Sequence, residues 1–149
     1  MDWVSQGVVT LAERDGTCVG LLAAAPAVPS RIPTGVVPAG SMFVYTVLSD
    51  RGRRGRGVGR ALLQRAEDLA KAGGAPAMAL DHWAGSAELS RIYDGYGYVR
   101  VADYIDLQDG KSVHNVVRVR PISPAVVDRA RPTANSDTIQ LCEPVTDER

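Results

Sequence analysis

The chain has 149 residues, of which 45% are hydrophobic, 23% charged and 5% aromatic, and its formal net charge is zero. This is the length of one ordinary domain, and the balance of apolar and charged residues excludes a chain that is disordered throughout. The zero net charge argues against a strongly basic nucleic-acid-binding domain. Cys18 and Cys142 are far apart and lack metal-ligand or redox spacing, so neither a disulfide scaffold nor a metal site is expected.

Membrane and export signals are also missing from the sequence pattern. The first residues do not combine a basic region with an apolar one, as a signal peptide does. The longest apolar stretch, residues 18–29, is interrupted by Gly20, Pro26 and Pro29 and is too short to cross a bilayer. We therefore expect a cytoplasmic protein that does not associate with membranes.

The apolar patterns predict eight elements in the order βββαβαββ. Their ranges are 7–14, 17–25, 42–48, 58–72, 77–82, 86–94, 98–101 and 113–120. Asp15-Gly16 and Asp109-Gly110 are hairpin turns, and residues 26–41 are a proline-rich loop. Ser86 is predicted to cap the second helix. This order is typical of an α/β domain with a mixed sheet.

The pattern fades after Pro121. Residues 121–149 contain four prolines, are net acidic and hold one short apolar piece at 138–141. We therefore expect one domain over residues 1–120. Residues 121–149 form a C-terminal tail that is either disordered or ordered only against that domain.

One charged segment stands out, because residues 51–65 contain six arginines and no acidic residue. It includes a glycine-rich turn between the third strand and the first helix. Glycine lets a backbone approach a ligand closely, and the first amides of a helix attract anions. Guanidinium groups add charge and forked hydrogen-bond donors. The segment therefore predicts a site for a diphosphate.

Two common phosphate-binding motifs fit this turn poorly. A P-loop needs a Lys-Ser/Thr pair, which the segment lacks. The dinucleotide fingerprint would use Gly57 and Gly59, but Leu62 stands where its third glycine belongs, and the strand ends at Leu48, well before the first glycine. A dinucleotide-binding protein stays an alternative. Direct contact with nucleic acid ranks lower, since residues 51–65 contain no aromatic side chain to stack on bases.

A third pattern fits better. Arg54-x-x-Gly57-x-Gly59 resembles the acyl-CoA pyrophosphate loop of the GNAT superfamily of N-acetyltransferases. The stretch from Ser86 through Tyr93 to Gly97-Tyr98 is similar to the second signature of that family, and residues 7–120 align with it in order. The resemblance implies a mixed central sheet with flanking helices, acetyl-CoA as co-substrate and an unidentified amine as acceptor.

The resemblance also implies site residues. The backbone of the central strand would bind the pantetheine arm, and the loop and helix start would bind the pyrophosphate. The cofactor-binding set is Val47, Leu48, Arg54, Arg56, Gly57, Val58, Gly59, Arg60 and Ser86. Tyr93 matches the position that often protonates the departing thiolate. Since the central strand carries no Asp or Glu, Asp81 and His82 on the next strand are the candidate bases, and His82 is favoured because its reference pKa is near neutrality.

The chain departs from the family at several points. Arg51 stands where a proline is usual, and Ser86 replaces an asparagine. The first strand and two helices of the family, which build the acceptor pocket, are expected to be missing. This favours, as an alternative function, a CoA-binding module without catalytic activity. The open sheet edge that results would favour a homodimer.

Overall fold

The computed structural model of the chain describes residues 9–122 and 139–142, which form one mixed sheet and two helices. In chain order the elements are β1 (Val9–Arg14), β2 (Thr17–Ala25), β3 (Met42–Ser49), a 3-10 turn (Arg53–Gly55), α1 (Val58–Ala72), β4 (Ala77–Trp83), α2 (Ala87–Gly95), β5 (Val99–Gln108), β6 (Lys111–Pro121) and β7 (Gln140–Cys142). The predicted α/β class is confirmed. Through β6 the strands and helices follow the predicted order, and β7 was not predicted.

The sheet has the strand order β5-β6-β4-β3-β2-β1-β7. Its one parallel pair is β3 with β4, and α1 provides the crossover between them. The other neighbouring strands run antiparallel. This places the turn before α1 at the end of the central strand β3.

The two faces of the sheet carry separate apolar clusters. We call the face that α1 covers the helix face. Its cluster contains Val58, Leu62 and Ala66 of α1 and the strand residues packed on them. A Cβ at Gly20 of β2 would meet the Val58 Cγ1 atom at 2.5 Å, so this strand position needs glycine. On the opposite face, which we call the loop face, Ile32 from the loop at residues 26–41 packs with strand residues such as Phe43.

The β5–β6 hairpin is longer than predicted. The expected strands at 98–101 and 113–120 extend to Val99–Gln108 and Lys111–Pro121 around the predicted Asp109-Gly110 turn. Both turn residues have positive φ, 50° and 73° respectively, as a tight two-residue hairpin requires.

Part of the predicted tail belongs to the sheet. β7 pairs antiparallel with β1 from Leu11↔Cys142 to Glu13↔Gln140 and covers part of the sheet edge that the homodimer prediction takes to be open. The homodimer stays a prediction. The rest of the predicted tail, residues 123–138 and 143–149, lies outside the described residues, as do residues 1–8, which include the start of the first predicted strand. The absence of the N-terminal elements of the family stays a prediction. Neither described helix is long and apolar enough to cross a membrane.

Candidate active site

The parallel strands β3 and β4 separate soon after they pair. Their register runs only from Met42↔Met78 to Val44↔Leu80, although β3 continues to Ser49 and β4 to Trp83. Beyond Val44, the edge of β3 that faces β4 has no ladder partner among the described residues. A backbone edge of this kind can bind an extended ligand through its amide and carbonyl groups.

A β-bulge lies at the same point of β3. Ala24 pairs with Val44 and Ala23 with Thr46, so Tyr45 is an extra residue in β3. Phe43 and Tyr45 face the loop face, whereas Val47 packs against the helix-face cluster. Regular alternation would put Val47 on the same side as Tyr45, so the bulge is what turns Val47 toward the helices.

The arginine- and glycine-rich turn leads directly into α1. Gly57 has φ of 76° and occupies the N-cap position, where no side chain caps the helix. The first turn of α1 contains no acidic residue. The opening amides of α1 therefore have no side-chain acceptor at their cap and are placed to bind an anion.

A cavity of about 290 Å³ lies between these elements. Its walls come from β3, the turn and the facing sides of the two helices. They are Val47, Ser49, Gly55, Gly57, Gly59, Arg60, Leu63, Leu89, Ile92, Tyr93 and Tyr96. The cavity thus joins the free end of β3 to the start of α1 and has a largely apolar wall from α2.

Five of the predicted site residues meet in this cavity: Val47, Gly57, Gly59, Arg60 and Tyr93. The other predicted residues lie elsewhere. Val58 is buried with its side chain in the helix-face core, and Leu48 is 61% exposed. Ser86 accepts a hydrogen bond from the Leu89 amide at 3.1 Å, which confirms it as the N-cap of α2. Of the remaining three, Arg54 and Arg56 line a second cavity, and His82 lies on β4, where its ring stacks on Tyr93.

The apolar wall of α2 was not predicted from sequence. Leu89, Ile92, Tyr93 and Tyr96 recur at helical spacing and line the same cavity. The signal was present, since residues at positions i, i+3, i+4 and i+7 share one face of a helix. No α2 residue is fully buried, and Tyr93 and Tyr96 also pack against the helix-face cluster, so this face borders both the cavity and the core.

Tyr93 is the hydroxyl-bearing residue at the predicted acid position. Its ring stacks on His82 with centroids 5.5 Å apart and meets Tyr98 edge-on at 5.9 Å. Burial raises the pKa of Tyr93, and the nearby Tyr96 and Asp81 raise it further. None of the hydrogen bonds among the described residues uses its hydroxyl. Tyr93 therefore carries a protonated donor at neutral pH that is free for a ligand.

His82 has a different environment from the one expected of a base. Its Nε2 atom accepts a hydrogen bond from Arg118 Nε at 2.9 Å, and its Nδ1 lies 2.9 Å from the Trp83 carbonyl oxygen. Because a carbonyl can only accept, Nδ1 carries the proton and the ring is the neutral Nδ1–H tautomer. The lone pair that would take a proton from a substrate is already engaged by a permanent cation.

Arg118, which the sequence did not single out, joins several elements at this point. It is 4% exposed and also donates to the Tyr98 carbonyl at 2.8 Å and to Asp94 at 2.6 Å. Asp94 belongs to the last turn of α2. Arg118 of β6 therefore connects β4, the end of α2 and the segment that follows it, next to Tyr93.

Asp81, the other candidate base, lies on the loop face. It accepts hydrogen bonds from Arg31 Nε at 3.0 Å and Nη2 at 3.3 Å, and from the Tyr104 hydroxyl. The hydrogen bond with Asp81 raises the pKa of Arg31, and burial together with Asp81 raises the pKa of Tyr104 to about 12. The Asp81 carboxylate is therefore held by two donors, and Asp81 does not line the 290 Å³ cavity.

The second cavity, of about 690 Å³, is lined by Arg14, Arg53, Arg54, Arg56 and Ile139. Four of its five lining residues are arginines, and none of the four forms a salt bridge with a carboxylate of the described residues. Ile139 precedes β7, and its Cδ1 atom lies 3.9 Å from where a Cβ of Gly57 would stand. Among the described residues, no cluster of His, Cys, Asp and Glu side chains could hold a metal ion.

Comparisons with known proteins agree with this arrangement. The model of the acetyltransferase (GNAT) family matches residues 2–99. No curated protein sequence gives a significant match.

Solved structures share the fold at low sequence identity. Ard1 from Thermoplasma volcanium has a TM-score of 0.58 and 19% identity, with 73% of this chain and 66% of that one covered. The protein yncA from Salmonella typhimurium, a putative acetyltransferase solved with its cofactor acetyl-CoA, has a TM-score of 0.60 and 19% identity over 83% of this chain and 69% of that one. The ribosomal-protein-S18-alanine N-acetyltransferase from Escherichia coli has a TM-score of 0.57 and 16% identity over 82% and 75%. The chain thus spans about two thirds to three quarters of these three proteins.

Proposed function

Because the chain belongs to the GNAT family of acetyltransferases, we propose that it transfers an acetyl group from acetyl-CoA to a primary amine by direct attack. The observation that carries this proposal is the cavity between β3 and the helices. It links the unpaired end of β3 to the start of α1 and is lined by Tyr93. Acetyl-CoA matches this arrangement, because it is an extended molecule with a thioester at one end and a diphosphate toward the other.

The proposed position of acetyl-CoA follows the polarity of the cavity. The amides of residues 56–60 and the side chain of Arg60 bind the diphosphate, supported by the charge of Arg54 and Arg56. The pantetheine arm runs along the backbone of Val47 and Leu48, beside the apolar wall of α2. The acetyl group then lies where β3 and β4 separate.

In the proposed reaction a neutral amine attacks the thioester carbonyl carbon, and a C–N bond forms. The developing oxyanion accepts a hydrogen bond from a backbone amide near Val47 or Leu48. The C–S bond breaks, and the thiolate takes a proton from Tyr93. The amine loses its own proton to a base or to water, and Tyr93 regains one from solvent. The raised pKa of Tyr93 supports this role, because it keeps the hydroxyl protonated until the thiolate forms.

The amine proton needs an acceptor, and His82 is the one favoured by the sequence. The prediction that His82 is the base remains a prediction, and its geometry favours another role. To accept a proton at Nε2, His82 would first have to lose its hydrogen bond with Arg118 and then carry a positive charge beside that guanidinium. We propose instead that His82 supports the Tyr93 ring, on which it stacks, and that a water molecule removes the amine proton.

Binding and turnover together test the proposal. A thermal shift with acetyl-CoA, CoA and NAD compares the ligands, and a ligand at about 100 times its Kd should stabilise the fold by about 2.7 kcal/mol. We expect stabilisation by both CoA species and none by NAD. Thiol release from acetyl-CoA should then depend on a primary amine, with a tertiary amine as the matched control.

Each alternative function has its own result in this experiment. Stabilisation by NAD alone would favour the dinucleotide-binding protein. Stabilisation by CoA without thiol release across a broad panel of primary amines would favour the CoA-binding module. Failure of every CoA species to bind would contradict the proposal.

A further inference from the structure

Arg14 makes an unusual set of contacts with the glycine- and arginine-rich turn. It stands at the end of β1, next to the hairpin turn, far in sequence from residues 53–56. Its guanidinium donates to three main-chain carbonyl groups: Nη1 to Arg54 O at 2.7 Å and Arg53 O at 3.3 Å, and Nη2 to Arg56 O at 3.1 Å. One side chain therefore holds three of the carbonyl groups of the turn on one side, those of Arg53, Arg54 and Arg56.

The planarity of the peptide group determines what these contacts do to the amides. In a trans peptide the C=O and the following N–H point in opposite directions, and the described residues contain no cis peptide. The carbonyl groups held by Arg14 belong to the peptides whose N–H groups are those of Arg54, Gly55 and Gly57. These amides therefore point away from Arg14, and Gly55 and Gly57 line the 290 Å³ cavity, whereas Arg14 does not.

The turn depends on this orientation because carbonyl oxygens facing the cavity would repel a diphosphate. Gly55 is already confined, since a Cβ there would lie 1.7 Å from the Asp50 carbonyl oxygen. Gly57 has the positive φ of 76°. Because a glycine at position 57 restricts the backbone less than any other residue would, a contact from outside the turn helps to hold one peptide orientation.

The charge of Arg14 also has no compensation within the described residues. It forms no salt bridge there, and its Nε atom is buried without a hydrogen-bond partner. It shares the 690 Å³ cavity with Arg53, Arg54 and Arg56. Burying an unpaired donor and grouping four cations costs stability unless an anion binds nearby.

We propose that Arg14 is a positioning residue for the diphosphate of coenzyme A, which holds the turn at residues 53–56 so that its amides face the ligand. This inference rests on the proposed function and adds to it a residue from β1, outside the loop motif. Arg14 acts through the turn and does not itself touch the reacting atoms.

The test compares acyl donors that differ in the diphosphate. Acetyl-CoA and acetyl-dephospho-CoA both contain it, whereas S-acetylpantetheine does not. In R14A we expect the Kd for acetyl-CoA and for acetyl-dephospho-CoA to rise by about tenfold or more, equivalent to about 1.4 kcal/mol. We expect kcat/KM for S-acetylpantetheine to stay at the wild-type value. Calorimetry gives the Kd values and thiol release gives kcat/KM.

Two further variants separate positioning from charge and from general damage. R14K keeps the charge but presents one compact ammonium group in place of the planar fork, so it should recover only a minor part of the lost affinity. R100A removes an exposed arginine of β5, at the opposite edge of the sheet, and should bind acetyl-CoA as the wild type does. If R14A fails to fold, R14K still decides the question, because it keeps a basic side chain at the same position.

The outcomes are distinguishable. Full affinity in R14K would show that charge alone acts and would overturn the positioning role, as would equal losses for S-acetylpantetheine and acetyl-CoA in R14A. Wild-type binding by R14A would overturn the assignment while leaving the proposed function intact. A wild-type protein that binds no form of coenzyme A would overturn the proposed function, and this inference with it.

Discussion

Replacing Arg118 with methionine should strongly destabilise the protein. Methionine keeps much of the aliphatic volume but leaves the Tyr98 carbonyl and His82 Nε2 without their donor. The side chain of Arg118 is 5% exposed, whereas that of Asp94 is 67% exposed. Solvent therefore screens the ion pair with Asp94, and we discount its contribution.

The size of the effect follows from the two buried contacts. A hydrogen bond from a charged donor contributes about 1.5–3 kcal/mol, so two give about 3–6 kcal/mol. Removing one partner of a buried charged network costs a similar amount, about 3–5 kcal/mol. Since a domain of this size has a free energy of unfolding of about 5–15 kcal/mol, the variant should lose a large part of its stability.

Urea denaturation followed by circular dichroism measures this loss. The matched control is Arg100→Met, which removes an exposed arginine that pairs with Asp103 on the solvent side of β5. We expect the urea midpoint of the control to stay close to that of the wild type. A loss of less than about 1 kcal/mol in Arg118→Met, an ordinary value for any substitution, would refute the view that Arg118 holds β4, β6 and α2 together.

Four further predictions concern the site. Tyr93→Phe should lower turnover about 10²-fold with an unchanged Kd for acetyl-CoA, while Tyr96→Phe, in the same cavity, should keep normal turnover. Because burial raises the pKa of Tyr93, the rate should not decline through loss of this proton below the ordinary tyrosine value of about pH 10. His82→Gln should lower the melting temperature without changing the pH profile of kcat/KM. If this variant instead lost the fall of kcat/KM at acidic pH, His82 would be identified as the base. Gly55→Ala should abolish CoA binding in calorimetry, because the added Cβ would collide with the backbone of Asp50. In Gly59→Ala the added Cβ meets nothing within 4 Å, so this variant should be as stable as the wild type, or more stable, in urea denaturation.

The local parts of the fold could be predicted from sequence because their signals are local. The β3 pattern, the α1 pattern and the Ser86 cap each depend on neighbouring residues, and the structure confirms all three. The distal half of the β5–β6 hairpin was missed because polar residues interrupt its apolar pattern. Cross-strand pairs such as His114 with Asp103 support it there.

The site was only partly predictable because its remaining contacts join distant segments. Arg118 meets His82 across 36 residues, and Arg14 meets Arg54 across 40. No periodicity or motif encodes such a meeting, so His82 resembled a free base in the sequence while its lone pair is engaged in the structure. The motif did locate the turn, and it missed the side chain that orients the turn.

The extra residue at Tyr45 has a consequence for protein engineering. Because the side chains of a strand alternate between the two faces of the sheet, the face on which Val47 lies depends on the number of residues between Val47 and Val44, the last regularly paired residue before the bulge. Deleting one residue from this stretch would exchange the directions of Val47 and Leu48, which no substitution at either position can do. A segment grafted here from another acetyltransferase must therefore match in length before its amino-acid composition matters.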